Sequence, residues 1–372
     1  MKRRIILINL VLFVSLICPA QGKGEENAAQ VIGSNAKIIW EKNLEEPSYT
    51  SLLSAGDKIF AVTKKGTVNC FDTQGKLIWW ENIKREIASR PIDYEGNLII
   101  AATNGDLISL DDTAGNIQQS IGLDESLTSH LISITLDNQG QSTTAAIVGT
   151  AKGSIYCYDV STFEMIWENH SAAGAIISKP IWVMNKIIYT SEDGYLYCID
   201  SRSGMLIWKW SPPKGKGITF ENSAPVSDGR SVFISLPDKS VYSIDLMLGK
   251  TNWKNSYTNC YSSTGILINK ELLFIKSQKD DIYSLNARTG KIERRYDAGF
   301  GQDTTATEFL FTGDNILFGT ESGKIYAIEK GIRVTPLLSL GNTAIYNIIS
   351  LGNDKYAASN GSGEMVIFSV NF

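Results

Sequence analysis

One short phrase recurs eight times between Gly66 and the C-terminus: a turn, then a five- or six-residue apolar strand closing on a polar residue. The copies are GTVNCFD (66–72), GDLISLD (105–111), GSIYCYD (153–159), GYLYCID (194–200), KSVYSID (239–245), DDIYSLN (280–286), GKIYAIE (323–329) and GEMVIFS (363–369). Their starts lie 39, 48, 41, 45, 41, 43 and 40 residues apart. A period in the low forties with several strands per unit is the mark of a β-propeller blade. The expected fold is therefore all-β: an eight-bladed propeller of four-stranded antiparallel blades. Propellers carry many unrelated activities, so the architecture alone assigns no function.

Each phrase extends into a turn and another strand, as in Asp72-TQG-KLIW79, Asp159-VSTF-EMIW167, Asp200-SRSG-MLIW208 and Asp245-LMLG-KTNW253. The Asp can accept hydrogen bonds from turn amides. Gly supplies the positive φ of a tight hairpin. Trp79, Trp167, Trp208 and Trp253 each offer a broad apolar face and one N–H donor, which suits a seam between sheets. Asp72, Asp159, Asp200, Asp245 and these tryptophans thus read as structural. Two further strands precede each phrase, so a blade runs A to D from the inside outward. The D strands of the second, sixth and seventh units lack Trp, and the seventh carries Pro336, which cannot donate to a ladder; they are expected to form looser outer edges.

The chain's two ends complement each other. Lys37-Ile-Ile-Trp40 matches Lys76-Leu-Ile-Trp79, a D strand with no A, B or C before it. Ser369-Val-Asn-Phe372 ends a C strand with no D after it. The N-terminal strand should complete the eighth blade, placing the propeller at 36–372 and removing an open sheet edge. Residues 1–20 read as a signal peptide: Lys2, Arg3 and Arg4, an apolar run from Ile5 to Ile17, then Cys18-Pro19-Ala20 with cleavage after Ala20. The run is short for a membrane span, so the mature chain is expected to be exported and soluble. A lipid anchor at Cys18 is the less favoured alternative, because Ile17 and Ser15 stand where a lipobox has a small residue and Leu. Residues 21–35 are polar and aperiodic, a flexible leader.

Losing Lys2, Arg3 and Arg4 takes 35 basic residues to 32 against 39 acidic, a net of −7. With no basic stripe, nucleic acid is not an expected partner. Cys70, Cys157 and Cys198 share one slot in strand C, filled elsewhere by Ser or Ala, and Cys260 lies outside it; four buried free thiols are expected. His130 and His170 sit near the start of an A strand, where no other ligands gather by spacing, and read as turn or surface residues. Two insertions depart from the template. Asp137–Thr143 is expected as an A–B loop. Ser211–Asn222 (SPPKGKGITFEN) is expected as a D–A loop on the opposite face, with Pro213, Lys214, Lys216 and an exposed Phe220 as candidate partner-binding residues.

The pattern strand-Asp-x-x-x-Gly-x-x-x-Trp, with Ser-x-Pro before strand A (Ser89-Arg-Pro91, Ser178-Lys-Pro180, Ser223-Ala-Pro225), resembles the pyrroloquinoline-quinone (PQQ)-like repeat family across 36–372. One branch of that family, the quinoprotein dehydrogenases, holds PQQ with a metal ion and typically has adjacent cysteines, which this sequence lacks along with CxxCH and calcium-loop carboxylates. The other branch is non-catalytic and includes the propeller lipoprotein of the outer-membrane β-barrel assembly machinery, which this chain resembles in blade number, size, export signal and closing strand. That lipoprotein docks its partner through a Leu/Arg-containing stretch before a Ser-x-Pro; the matching stretch here, GITFENSAP (217–225), has neither. The resemblance implies a non-catalytic scaffold with no cofactor, binding a protein partner in the cell envelope, periplasmic or outer-membrane-associated. The alternatives are a PQQ-dependent dehydrogenase and a small-ligand sensor using the central channel.

Overall fold

The computed structural model describes residues 29–47, 52–138, 140–213, 220, 223–267 and 271–372. Among these residues every regular element is a strand. The strands form eight antiparallel sheets, six built from consecutive segments and two that each join an N-terminal strand to C-terminal ones. The protein is an eight-bladed propeller.

Strands B and C of each blade are pressed between neighbouring sheets, and their sequences are apolar on both faces for that reason. In blade 4, Ile187–Ser191 of strand B and Leu196–Ile199 of strand C are fully buried. The apolar side chains form eight clusters, each joining two adjacent blades. Full burial of one large side chain stabilises by roughly 1.5–3 kcal/mol, so each seam carries weight and no single centre does.

A recurring irregularity in the outermost pair aims the tryptophans. Cys70 faces Trp79 while the next pair is Phe71 with Leu77, so Ile78 is an extra residue. The same shift occurs in blades 3, 4, 5, 6 and 8. Such a bulge breaks the in–out alternation of a strand. Leu77 and Ile78 are both exposed, and Trp79 turns into the seam.

There each Trp meets the next blade in one repeated way. The Nε1–H groups of Trp79, Trp167, Trp208 and Trp253 donate to the carbonyls of Asp112, Ser201, Leu246 and Ala287, each at 3.0 Å. Each ring also lies against the C–D turn glycine of that blade: a Cβ on Gly204 would stand 2.6 Å from Trp167, and one on Gly75 2.2 Å from Trp40. These glycines answer to two demands, positive φ and the ring above them.

Two of the blades without Trp keep the link by other means. Gln119 stands where Trp is expected and donates from Nε2 to the Thr162 carbonyl at 2.8 Å. With no indole overhead, the facing turn holds Phe163 at φ 57° where other blades have Gly. In blade 6, Arg294 donates to the Gly331 carbonyl at 2.8 Å. The missing aromatic clamp is thus replaced by polar links.

Closure follows the expected pairing. Ala36–Asn43 runs antiparallel to Glu364–Val370, with Ile38 opposite Phe368 and Trp40 opposite Ile367. The Leu44 and Asn371 amides extend it, donating to the carbonyls of Gly363 and Asn35.

Two expectations are corrected. Part of the supposed leader is ordered: Gln30–Val31 pairs with Ser339 and Leu338 on the outer edge of blade 7, giving that blade a fifth strand. The amides of Ile32 and Gly33 both donate to the Leu337 carbonyl. The Pro336 strand, expected to be a loose edge, is therefore covered. Secondly, 137–143 is no irregular loop. Strands Ile132–Asn138 and Gln141–Gly149 continue pairing to Asn138 opposite Gln141, so the insertion lengthens the hairpin. The signal peptide, Cys18 and leader residues 21–28 lie outside the described residues.

Candidate binding face and central channel

Because strands alternate in direction, D–A connections and B–C turns share one face of the disc, and A–B and C–D turns the other. On the D–A face the 211–222 insertion includes Pro213, which is exposed. Lys214 and Lys216 lie outside the described residues. Phe220 is corrected: it is 2 % exposed and packs with Trp210, Leu236 and Tyr242 in the seam of blades 4 and 5. An aromatic ring beside an apolar seam gains more from burial than from water, so Phe220 belongs to the seam and is no surface anchor. Ser223 is buried as well.

The turn acids hold backbone amides as expected from their position. Asp72 Oδ1 accepts from the amides of Gln74 and Lys76, Asp159 from Ser161 and Thr162, Asp200 from Arg202 and Ser203, and Asp245 from Met247 and Leu248. In Asp111 the Thr113 hydroxyl, helped by three amides, holds the carboxyl well below the usual range. In Asp159 and Asp200 burial pulls upward, but the hydrogen bonds outweigh it and both carboxyls are lowered.

Cys70, Cys157, Cys198 and Cys260 are free and buried, and burial pushes each thiol up to about 12. Such thiols are poor nucleophiles. His170, read from the sequence as a turn or surface residue, has its Nδ1 2.9 Å from Ser154 Oγ, with Glu168 3.4 Å from its Nε2. The set has the composition of a hydrolytic triad. Yet Ser154 is 4 % exposed and gives its proton to Glu125 at 3.1 Å, so it clamps a turn. A second missed pair is Lys276–Asp303, 2.9 Å apart and almost fully buried, with the Thr305 carbonyl also on the ammonium. Neither signal stands out in one sequence, because each pair is distant along the chain.

His130 is not the ordinary turn residue expected. It faces the central channel with Arg90, Lys179 and Glu308. Lys179 Nζ reaches Glu308 Oε1 at 2.9 Å from across the ring, and Arg90 Nη1 stands 3.9 Å from Oε2. Burial, aided by the two cations and opposed by Glu308, pushes His130 down to about 4, so it is neutral at neutral pH. For Glu308 burial pulls upward, but Lys179 and Arg90 prevail and the carboxyl is lowered. Among the described residues no three His, Cys, Asp or Glu gather to hold a metal ion. The axial carboxylate is engaged by lysine, a donor set that does not fit a PQQ–metal pair.

The family model described as outer membrane protein assembly factor BamB matches residues 27–255 and 192–331. The chain belongs to the BamB family. A BamB relative from Moranella endobia is 21 % identical over 319 residues, covering 79 % of this chain and 78 % of the relative. The crystal structure of BamB from Moraxella catarrhalis superposes with a TM-score of 0.71 at 17 % identity, covering 90 % of this chain and 98 % of that one. The quinohemoprotein alcohol dehydrogenase of Comamonas testosteroni also superposes, with a TM-score of 0.68 at 11 % identity, over 90 % of this chain and 76 % of that one. Both superpositions concern the fold. The BamB-family match includes the closing strand Ala36–Asn43 but ends before its partner Glu364–Val370.

Proposed function

We propose that the chain is a non-catalytic scaffold, exported to the bacterial cell envelope, that holds protein partners during outer-membrane protein assembly. It acts in the periplasm or at the periplasmic side of the outer membrane. The observation that carries this reading is the family match across 27–331, on a ring that its own N-terminal strand closes. A closed ring holds its loops in place before a partner arrives, so little ordering entropy is lost on binding. The contact face is the one bearing the D–A connections, with Pro213, Lys214 and Lys216 in its longest departure from the repeat; Phe220, buried in the seam, is left out of the contact set.

The test is a photocrosslinking residue placed at 213, 214 or 216 in the producing cell. The expected result is an adduct with a component of the machinery that inserts outer-membrane barrels. Adducts absent from all three sites would remove this face from the proposal. Dye-linked oxidation of alcohols or sugars on adding PQQ and calcium would overturn the scaffold reading itself.

A further inference from the structure

Three successive blades begin with the same buried–open alternation. Ile87, Ser89, Leu127, Ser129, Ile176 and Ser178 are buried in the seams. Between and after them, Ala88 and Arg90, Thr128 and His130, and Ile177 and Lys179 are half-buried. In extended chain, residues two apart share a face and are separated by about 6.5 Å. The channel wall of blades 2–4 is therefore stacked, small or apolar side chains nearest the mouth and basic ones beneath.

Above the basic tier lies a cavity of about 380 Å³ walled by Ile87, Ala88, Leu127 and Ile177, with the Thr128 hydroxyl among them. The Lys64–Glu86 ion pair, 3.2 Å apart, stands at its rim. Beneath it, Arg90 and Lys179 share a single carboxylate, Glu308, and only Lys179 is within hydrogen-bond distance. Two permanent cations against one anion leave a net positive charge at a partly exposed site, with Arg90, Lys179 and Glu308 side chains 27 %, 32 % and 47 % exposed. A guanidinium there gains from a second carboxylate that it can grip with two N–H groups.

We propose that this channel mouth binds a carboxylate borne on a compact apolar body, the carboxylate on Arg90 and Lys179 and the body in the cavity above. The ligand class follows from the stacking order, apolar outside and cationic within, which admits an apolar acid carboxylate-first. A free amino-acid derivative and the C-terminus of a peptide share this chemistry. The inference is independent of the scaffold reading, since it concerns the channel and not the 211–222 loop.

Calorimetric titration of the intact mature protein tests it with four probes: N-acetyl-phenylalanine, its carboxamide, and a pentapeptide ending in phenylalanine as free acid or amide. At least one free acid is expected to bind about tenfold or more tightly than its amide, the size of a lost charge-assisted contact. Binding of both acids assigns the site to chain termini as well as small acids, and binding of the small acid alone assigns it to small acids. Arg90→Gln is expected to lower affinity about tenfold with its melting temperature held. Glu308→Gln releases both cations and is expected to tighten binding. Lys209→Met, on the outer strand of blade 4, is expected to leave it unchanged. Equal titration of acid and amide, absence of binding by every probe, or weaker binding by Glu308→Gln would overturn the proposal.

Discussion

At the scale of single residues, the seams obey a rule of complementary volume. Where one blade supplies an indole, the next supplies Gly; where blade 2 supplies Gln119, blade 3 answers with Phe163. The rule predicts a specific non-additivity. Gln119→Trp alone should overpack the seam and cost about 1–3 kcal/mol. Phe163→Gly alone removes a buried ring (5 % exposed) and should cost about 3–5 kcal/mol. Together they rebuild the Trp-over-Gly pair of the other seams, so the double variant should be more stable than the sum of the singles by about 1–3 kcal/mol. Chemical denaturation of the four proteins measures this, and strict additivity would show that the two positions do not sense each other. Sequence reading recognised Trp79, Trp167, Trp208 and Trp253 as seam residues but left Phe163 without a reason. A single strand pattern does not reveal which turn lies opposite on the next blade. Phe220 was misjudged because polarity in the surrounding loop says nothing of an apolar seam beneath it.

At the scale of elements, the C–D turns are small devices with a pH signature. Asp111 has a carboxyl lowered in the folded state, first by the Thr113 hydroxyl and then by amides. A depressed folded-state pKa means that the unfolded chain binds more protons in acid. The stabilisation is therefore present above the ordinary carboxyl range near pH 4 and is lost as pH falls through the lower folded value. Asp159 and Asp200 shift in the same direction. Blade 6 shows that an amide can do the turn's work, since Asn286 Oδ1 accepts from Arg288 and Thr289. Asp111→Asn should therefore fold normally, lose a few degrees of melting temperature at pH 7, and show a shallower loss between pH 4 and 2. A steeper acid limb than wild type would contradict this. The edge strand Gln30–Val31 makes a second prediction. A Cβ on Gly33 would come within 2.1 Å of the Pro336 carbonyl oxygen, so Gly33→Val should lift the strand from blade 7. Amide exchange should quicken at Leu338 and Ser339 while the blade 3 core stays protected. Unchanged exchange at 338–339 would mean that the strand does not depend on that close approach. Nothing in the aperiodic sequence of 21–35 announced this pairing, because two residues are too few for a pattern.

At the scale of the whole molecule, eight sheets share eight seams, and stability belongs to the closed circle. The repeat made this legible: regular spacing set the blade count, and the match of Lys37–Trp40 to Lys76–Trp79 identified the missing strand. The channel chemistry was not legible, since Arg90, His130, Lys179 and Glu308 come from four different blades and meet only once the ring exists. Closure also carries a consequence for unfolding. Removing 36–43 takes away the outer strand of blade 8, including Ile39 and Trp40, which pack with Phe71, Met365 and Ile367 across the seam to blade 1. The loss exposes the edge of Glu364–Val370 and opens the circle at one place, yet each neighbouring seam is held by the rigidity of the next. The deletion should therefore lower the melting temperature of the entire propeller by about ten degrees or more, given several lost large side chains at roughly 1.5–3 kcal/mol each and a shift of about 2–4 °C per kcal/mol. It should also raise the tendency to aggregate through the bared edge. Differential scanning calorimetry of the truncated and full mature chains decides the matter. Coincident transitions would mean that the N-terminal strand lies on a ring already closed without it.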